Sequence, residues 1–250
     1  MQRIKPTVQD YSKYTAEDFG VWKVLFERQI PHVKEHASKL YLEALDIVGF
    51  NADEIPDFEK TTAILQEQTG WQIVTVPELV PQKEFFEMLI NKRFPATCWL
   101  RTMEELNYIE EPDMFHDVFG HIPLLVNPAY ALFMQSFGEL AMKWIDDAEA
   151  IAILARVYWY TIEFGLLNED EQCKIFGAGI ISSIGEMAHV LYSRDSVKMP
   201  FNINKMLNTP YRIDTLQPTF FVMDSFEQLC SAIPGIDAGL SKLLSEQFTH

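Results

Sequence analysis

Apolar residues recur at helical spacing through most of the chain and alternate only in short patches. Residues 16–48 carry long apolar and charged side chains, with Thr15 placed to cap the start ahead of Ala16 and Glu17. Pro31 interrupts the stretch and predicts a second helix opening there, passing His32, His36 and Leu40 towards Ile47, with Gly49 as its stop. After a loop at 51–56, residues 58–70 predict a short helix ended by Gly70, and 71–76 (WQIVTV) predict a strand. A loop at 77–81, a helix at 82–92 and a short strand at 97–101 follow. Helical periodicity returns at 128–138 and 147–164, where Ile151, Leu154, Tyr158 and Ile162 mark one apolar face. Residues 179–192 predict another helix, closely packed at its small-residue start. Residues 202–221 offer two weak strands, and 225–233 and 238–247 predict closing helices. The pattern is that of a mainly α single domain with a small β component.

Composition narrows the class. A chain of 250 residues can bury a sizeable core without a disulfide or structural metal. A formal charge of −16 speaks against nucleic-acid or anionic-membrane partners, which attract basic patches. Cys98, Cys173 and Cys230 are widely spaced, with no C-x-x-C, so neither a disulfide framework nor a zinc finger is suggested. The start of the chain is polar and no apolar run approaches the length of a membrane span, so a cytoplasmic protein is expected. No repeat, low-complexity tract or linker divides the chain.

The chemically informative stretch is 108–125, YIEEPDMFHDVFGHIPLL. His116 and His121 stand five residues apart, and on an ideal α-helix such positions differ by about 140° and do not share a face. Gly120 would end the helix and Pro123 keep it from resuming, letting His121 swing back towards His116. Pro112 and Asp113 suit the first turn of that helix. Two neutral imidazoles with one carboxylate form the facial triad of non-haem Fe(II) oxygenases, which leaves the opposite metal positions open. The carboxylate candidate is Glu163, in YWYTIEFG, at the end of an apolar helix where an unpaired charge is costly. Trp159, four residues before it, is expected to set its ring beside the metal. A lone histidine pair is weak evidence, and Glu163 could instead pair with Arg156. The spacing is not HExxH, so a zinc protease has little support. Spacing alone leaves metal binding open.

Three segments in order, EPDMFHDVFGHIPLL, YWYTIEFGL and FGAGIISSIGE, resemble the pterin-dependent aromatic amino acid hydroxylases, with the likeness extending from about Leu79 to Phe226. The resemblance implies the single catalytic domain of that family over 1–250, with an N-terminal helical segment at 1–50 and the iron, pterin and substrate site within about 70–226. It implies neither the regulatory domain nor the tetramerisation helix of animal members, hence a monomer like the compact bacterial form. It assigns His116, His121 and Glu163 to the iron as the catalytic centre, and Arg101, Trp159, Ser182 and Ile213 to the amino acid. Val80, Phe85 and Asp117 fall to the tetrahydropterin, tetrahydrobiopterin or a relative. Two positions depart from the animal pattern: Ile109 stands for a threonine that touches substrate, and Asp117 for a longer glutamate.

The implied reaction converts L-phenylalanine and O2 to L-tyrosine with Fe(II) and the pterin as cosubstrate. Trp159 disfavours tryptophan as substrate and the apolar Ile213 disfavours tyrosine, though hydroxylation of either stays open. So do a zinc hydrolase on the same ligands and a non-catalytic, metal-stabilised binding protein. Truncating Arg101 is expected to raise the substrate KM with iron content unchanged.

Overall fold

The computed structural model of the protein describes residues 4–247. Its first helix, α1 (Ala16–His36), starts at a reciprocal cap: the Thr15 hydroxyl accepts from the Asp18 N–H, and the Asp18 carboxylate accepts from the Thr15 N–H. Pro31 does not divide α1, contrary to the expectation from sequence. The break falls at Ala37, and Ser38 then caps α2 (Lys39–Val48). The reason is the face on which the proline sits. Pro31 and Glu27, whose carbonyl loses its helical donor, are both exposed, so solvent can take the missing bond. Trp22, Leu25, Phe26 and Val33 meanwhile hold the opposite face in the core. Gly49 ends α2 at φ 71°, in the left-handed region open to glycine.

Asp57 caps α3 (Phe58–Gln68), which leads to β1 (Gln72–Thr75). Helix α4 (Gln82–Ile90) returns the chain to β2 (Arg93–Ala96), parallel to β1 with Gln72 opposite Arg93. The strand expected at 97–101 is thus misplaced: these residues form a buried irregular segment. The N–H groups at its two ends turn to side chains rather than to a ladder, Thr97 to Asp117 and Arg101 to Asp113.

Asn127 caps α5 (Pro128–Lys143) and Asp147 caps α6 (Ala148–Tyr158). A hairpin, β3 (Leu166–Glu169) and β4 (Gln172–Ile175), turns on Asp170 and Glu171 at φ 52° and 64°. The helix expected at 179–192 is two, α7 (Ala178–Ile181) and α8 (Ile184–Tyr192), because Ser183 breaks the run and caps the second. Then come β5 (Val197–Pro200), α9 (Ile203–Asn208) and β6 (Thr219–Met223). Of the two strands expected at 202–221 only β6 exists; Asn202 caps the other stretch as a helix. The closing helix α10 (Phe226–Gln247) runs through Pro234 as one piece where two were expected. The larger sheet has the order β4-β3-β6-β5, antiparallel only at the hairpin. No helix among the described residues is long and apolar enough to cross a membrane.

One aromatic core joins these layers. Phe115 and Phe119 stack at 4.8 Å and 14°, and the edges of Trp22 and Phe26 on α1 close on them at 5.4 and 5.3 Å. That packing anchors one face of the 115–121 turn, and the other face is left for chemistry.

Candidate active site

Both histidines lie on one π-helical turn, Phe115–His121, with His121 as its last residue. Hydrogen bonds in such a turn join residues five apart, so His116 and His121 stack on one face. The expected helix stop at Gly120 is therefore corrected: the turn widens and continues through it. Gly120 serves packing instead, since a Cβ there would lie 3.0 Å from the Ala178 carbonyl. Tyr41 donates its hydroxyl to the Phe119 carbonyl and ties the turn to α2.

A second π turn, Trp159–Glu163, closes with the Phe164 N–H donating to the Trp159 carbonyl at 2.8 Å. It ends on Glu163. The same five-residue repeat puts Tyr158 beside Glu163 in the adjoining cavity, where a 3.6-residue repeat had suggested Trp159. Trp159 does not line that cavity. Its ring stacks on Tyr211 at 4.5 Å and 18°, and its Nε1 donates to Gln217 at 2.7 Å.

The two turns bring three donors together. His121 Nε2 lies 3.2 Å from Glu163 Oε1 and 3.2 Å from His116 Nε2, while His116 Nε2 lies 3.7 Å from Glu163 Oε2. All three ligand atoms fall within 4.8 Å of one another. Arg156, the alternative partner for Glu163, donates instead to the Leu207 carbonyl. Burial pulls the His116 imidazole down to about 4, against the opposing pull of Glu163, so it is neutral at pH 7. Burial pushes the Glu163 carboxyl up, but the charge and hydrogen bond of His121, with His116 behind, outweigh this and hold it below its ordinary range. Two imidazole nitrogens and a carboxylate oxygen thus converge on one point, which suits a single divalent cation in place of the proton between His121 and Glu163.

Proton placement supports that role. The Ser182 hydroxyl donates to the Ala178 carbonyl at 2.8 Å, so its oxygen can only accept from His116 Nδ1, 2.9 Å away. The proton of His116 is thereby fixed on Nδ1 and the lone pair on Nε2, facing Glu163. His121 Nδ1, by contrast, is buried with no partner among the described residues. Ser182→Ala should weaken iron binding by about 10–100-fold, the usual cost of losing such a support. Competition against a chromophoric chelator measures this; unchanged affinity would show that the hydroxyl does not orient the ring.

Glycine is required behind Glu163. A Cβ on Gly177 would stand 2.4 Å from the Glu163 carbonyl and 2.6 Å from the Gly165 nitrogen, and both are backbone atoms. Gly177→Ala should cost about 1–3 kcal/mol in stability and push Glu163 out of register. Calorimetry should show the lowered midpoint and iron titration the weakened site; normal iron affinity would refute the link.

A cavity of about 300 Å³ opens beside the triad, and Val80, Phe85 and Asp117 line it together with Tyr158. Phe85 is half-buried, edge-on to Tyr158 at 5.5 Å. Asp117 Oδ2 accepts from the Thr97 N–H and hydroxyl at 2.8 and 2.9 Å, and burial raises its carboxyl to about 7. The four residues assigned to the amino acid lie outside this cavity. Ser182 touches His116, and the charge of Arg101 is felt at the same ring. Arg101 is buried in a fork with Asp113, Nε to Oδ2 at 2.9 Å and Nη2 to Oδ1 at 2.8 Å. Ile213 is 80% exposed, on a surface loop. Sequence reasoning missed Asp113 as the partner of Arg101, Thr97 as the anchor of Asp117, and Gln217. The only signal was a polar residue in an otherwise buried stretch.

The sequence matches the family described as biopterin-dependent aromatic amino acid hydroxylase over residues 6–248. The curated phenylalanine-4-hydroxylase of Chromobacterium violaceum is 45% identical over 224 residues, covering 90% of this chain and 75% of that one. The Ralstonia nicotianae phenylalanine-4-hydroxylase is 44% identical, over 90% of this chain and 71% of its own. A crystal structure of the C. violaceum enzyme with iron(III) and oxidised cofactor 7,8-dihydrobiopterin is similar at a TM-score of 0.89 and 44% identity, covering 95% of this chain and 85% of that one.

Proposed function

Because the chain belongs to the biopterin-dependent aromatic amino acid hydroxylase family, we propose that it converts L-phenylalanine to L-tyrosine, using O2 and a tetrahydropterin on Fe(II) held by His116, His121 and Glu163. The observation that carries this reading is a two-histidine, one-carboxylate donor set in the wall of a cavity that also presents Phe85, Val80 and Asp117. The metal and pterin, when bound, would supply the redox chemistry: the pterin would give two electrons, one atom of O2 would enter the ring and the other would leave with the oxidised pterin.

The side chains bind and orient. Phe85 offers a ring face for stacking on the flat pterin. Asp117 has Oδ2 committed to Thr97, which leaves Oδ1 to meet the pterin edge. Asp113 occupies the Nε–Nη2 edge of Arg101, so Nη1 is the part of that guanidinium left to meet the substrate carboxylate. Trp159, which opens the π turn ending at Glu163, is the residue proposed to border the phenylalanine ring.

Phe85→Ala should raise the KM for tetrahydropterin about tenfold, the worth of one lost aromatic contact with its buried area, and leave iron content unchanged. Steady-state kinetics checks it, and an unaltered pterin KM would remove Phe85 from the cofactor site. The reaction itself is tested with iron-loaded protein, tetrahydropterin, O2 and each of phenylalanine, tyrosine and tryptophan, products being separated. Tyrosine from phenylalanine should dominate. Preferential turnover of another amino acid would move the substrate assignment, and no turnover would end the reading.

A further inference from the structure

Gln217 is a polar side chain at 1% exposure, between the exposed residues 212–216 and β6. A buried amide is costly unless its hydrogen bonds are made. Its Oε1 accepts the Trp159 indole N–H at 2.7 Å, and its backbone N–H donates to Glu186 Oε2 on α8 at 3.3 Å. The indole is also stacked on Tyr211 at 4.5 Å and 18° and leans on Phe164 at 4.5 Å and 35°. Stacking fixes the plane of a ring but lets it slide and turn within that plane. A directional bond to the N–H in that plane removes the remaining freedom. Among the described residues, Gln217 supplies it.

The position matters because of where Trp159 stands. It opens the π turn that ends at Glu163, and its carbonyl accepts the bond that closes the turn. That bond is made by backbone atoms, so an indole free to turn would move the ring and leave the turn that presents Glu163 closed.

We propose that Gln217 is a positioning residue for the hydroxylation: through one hydrogen bond it sets the in-plane angle of the Trp159 indole, and Glu186 holds Gln217 in place for that purpose. The inference rests on the reading above, in which Trp159 borders the phenylalanine ring. An aromatic substrate held by dispersion against a flat wall takes its placement from that wall. Displacing the target carbon by about 1 Å costs reaction far more than binding. The signature is therefore a loss of tyrosine formed per tetrahydropterin consumed, together with a higher KM for phenylalanine.

The test uses the full chain as wild type, Gln217→Met, Trp159→Phe and the double variant. Methionine keeps the length of the side chain and removes the acceptor; phenylalanine keeps a ring and removes the N–H. Gln217→Met should raise the KM for phenylalanine about 5–10-fold, the scale of one buried hydrogen bond. It should also lower the yield of tyrosine per pterin while leaving iron content and the pterin KM alone. In the Trp159→Phe background the same change should add nothing, because no N–H remains to be oriented. In metal-free protein, the indole ¹H–¹⁵N resonance that disappears in Trp159→Phe should move upfield in Gln217→Met. An unmoved resonance, or an equal effect in the Trp159→Phe background, would reduce Gln217 to a packing role and overturn the proposal. Wild type that makes no tyrosine would sink the hydroxylase reading and this inference with it; active wild type matched by Gln217→Met would sink the inference alone.

Discussion

Glu163→Ala should leave a folded protein that no longer retains iron. Two imidazoles remain, but the carboxylate is the anionic donor among the three ligand atoms that converge there. Losing an outer support costs about 10–100-fold in metal affinity, so losing a ligand atom should cost more. Glu163 sits on a turn whose closing bond is made by backbone atoms, Phe164 N–H to the Trp159 carbonyl, and truncating its side chain does not touch that bond. The measurement is iron per chain after desalting, alongside far-ultraviolet circular dichroism. Full occupancy with an intact spectrum would take Glu163 out of the donor set.

Arg101→Ala should do more than raise a KM. Asp113 is fully buried, and its Oδ2 accepts from both the Arg101 N–H and Nε at 2.9 Å. Its Oδ1 accepts from Nη2 at 2.8 Å and from the His116 N–H at 3.3 Å. Burial pushes the Asp113 carboxyl up, but the hydrogen bonds and charge of Arg101 prevail and keep it ionised below its ordinary range. Removing the guanidinium strands that charge in the interior, at a cost of about 3–5 kcal/mol. Because Asp113 also holds the first residue of the histidine pair, iron affinity should fall too. The sequence had suggested a change in KM alone; the buried fork is the reason for the larger expectation. Urea unfolding of Arg101→Ala measures the loss, and a change below about 1 kcal/mol with normal iron content would contradict it.

Features written in local chemistry were legible in the sequence. Thr15, Gly49 and Gly70 bound their elements because a cap or a left-handed residue acts within one turn. Features decided by the surroundings were not. Pro31 is harmless because its face meets solvent, and in the irregular segment 97–101 two carboxylates from elsewhere in the chain take the N–H groups of Thr97 and Arg101. The hairpin at 170–171 lacks the Asn-Gly signature, since Asp170 and Glu171 take positive φ instead.

At the site, the residue types of the triad were visible, but the turns that assemble it were not. A π turn differs from an α turn by one residue of winding, and here the wedge of Phe115 and Phe119 against α1 accompanies it. The five-residue spacing of His116 and His121 is its trace in the chain. Which of Glu110, Glu111, Asp113 and Asp117 faces Arg101 had no such trace. Ile213, assigned to the substrate, stands in solvent on a loop whose two ends are held by Tyr211 and Gln217 against Trp159.

One measurement bears most directly on the iron-centred oxygen chemistry assigned to these three side chains. Iron-loaded protein is given phenylalanine and a tetrahydropterin under ¹⁸O₂ in unlabelled water, and the tyrosine is weighed by mass spectrometry. One ¹⁸O atom per tyrosine, appearing with wild type and vanishing with Glu163→Ala, is the expected result. Tyrosine carrying oxygen from water, or labelled tyrosine made equally well by the variant, would contradict it.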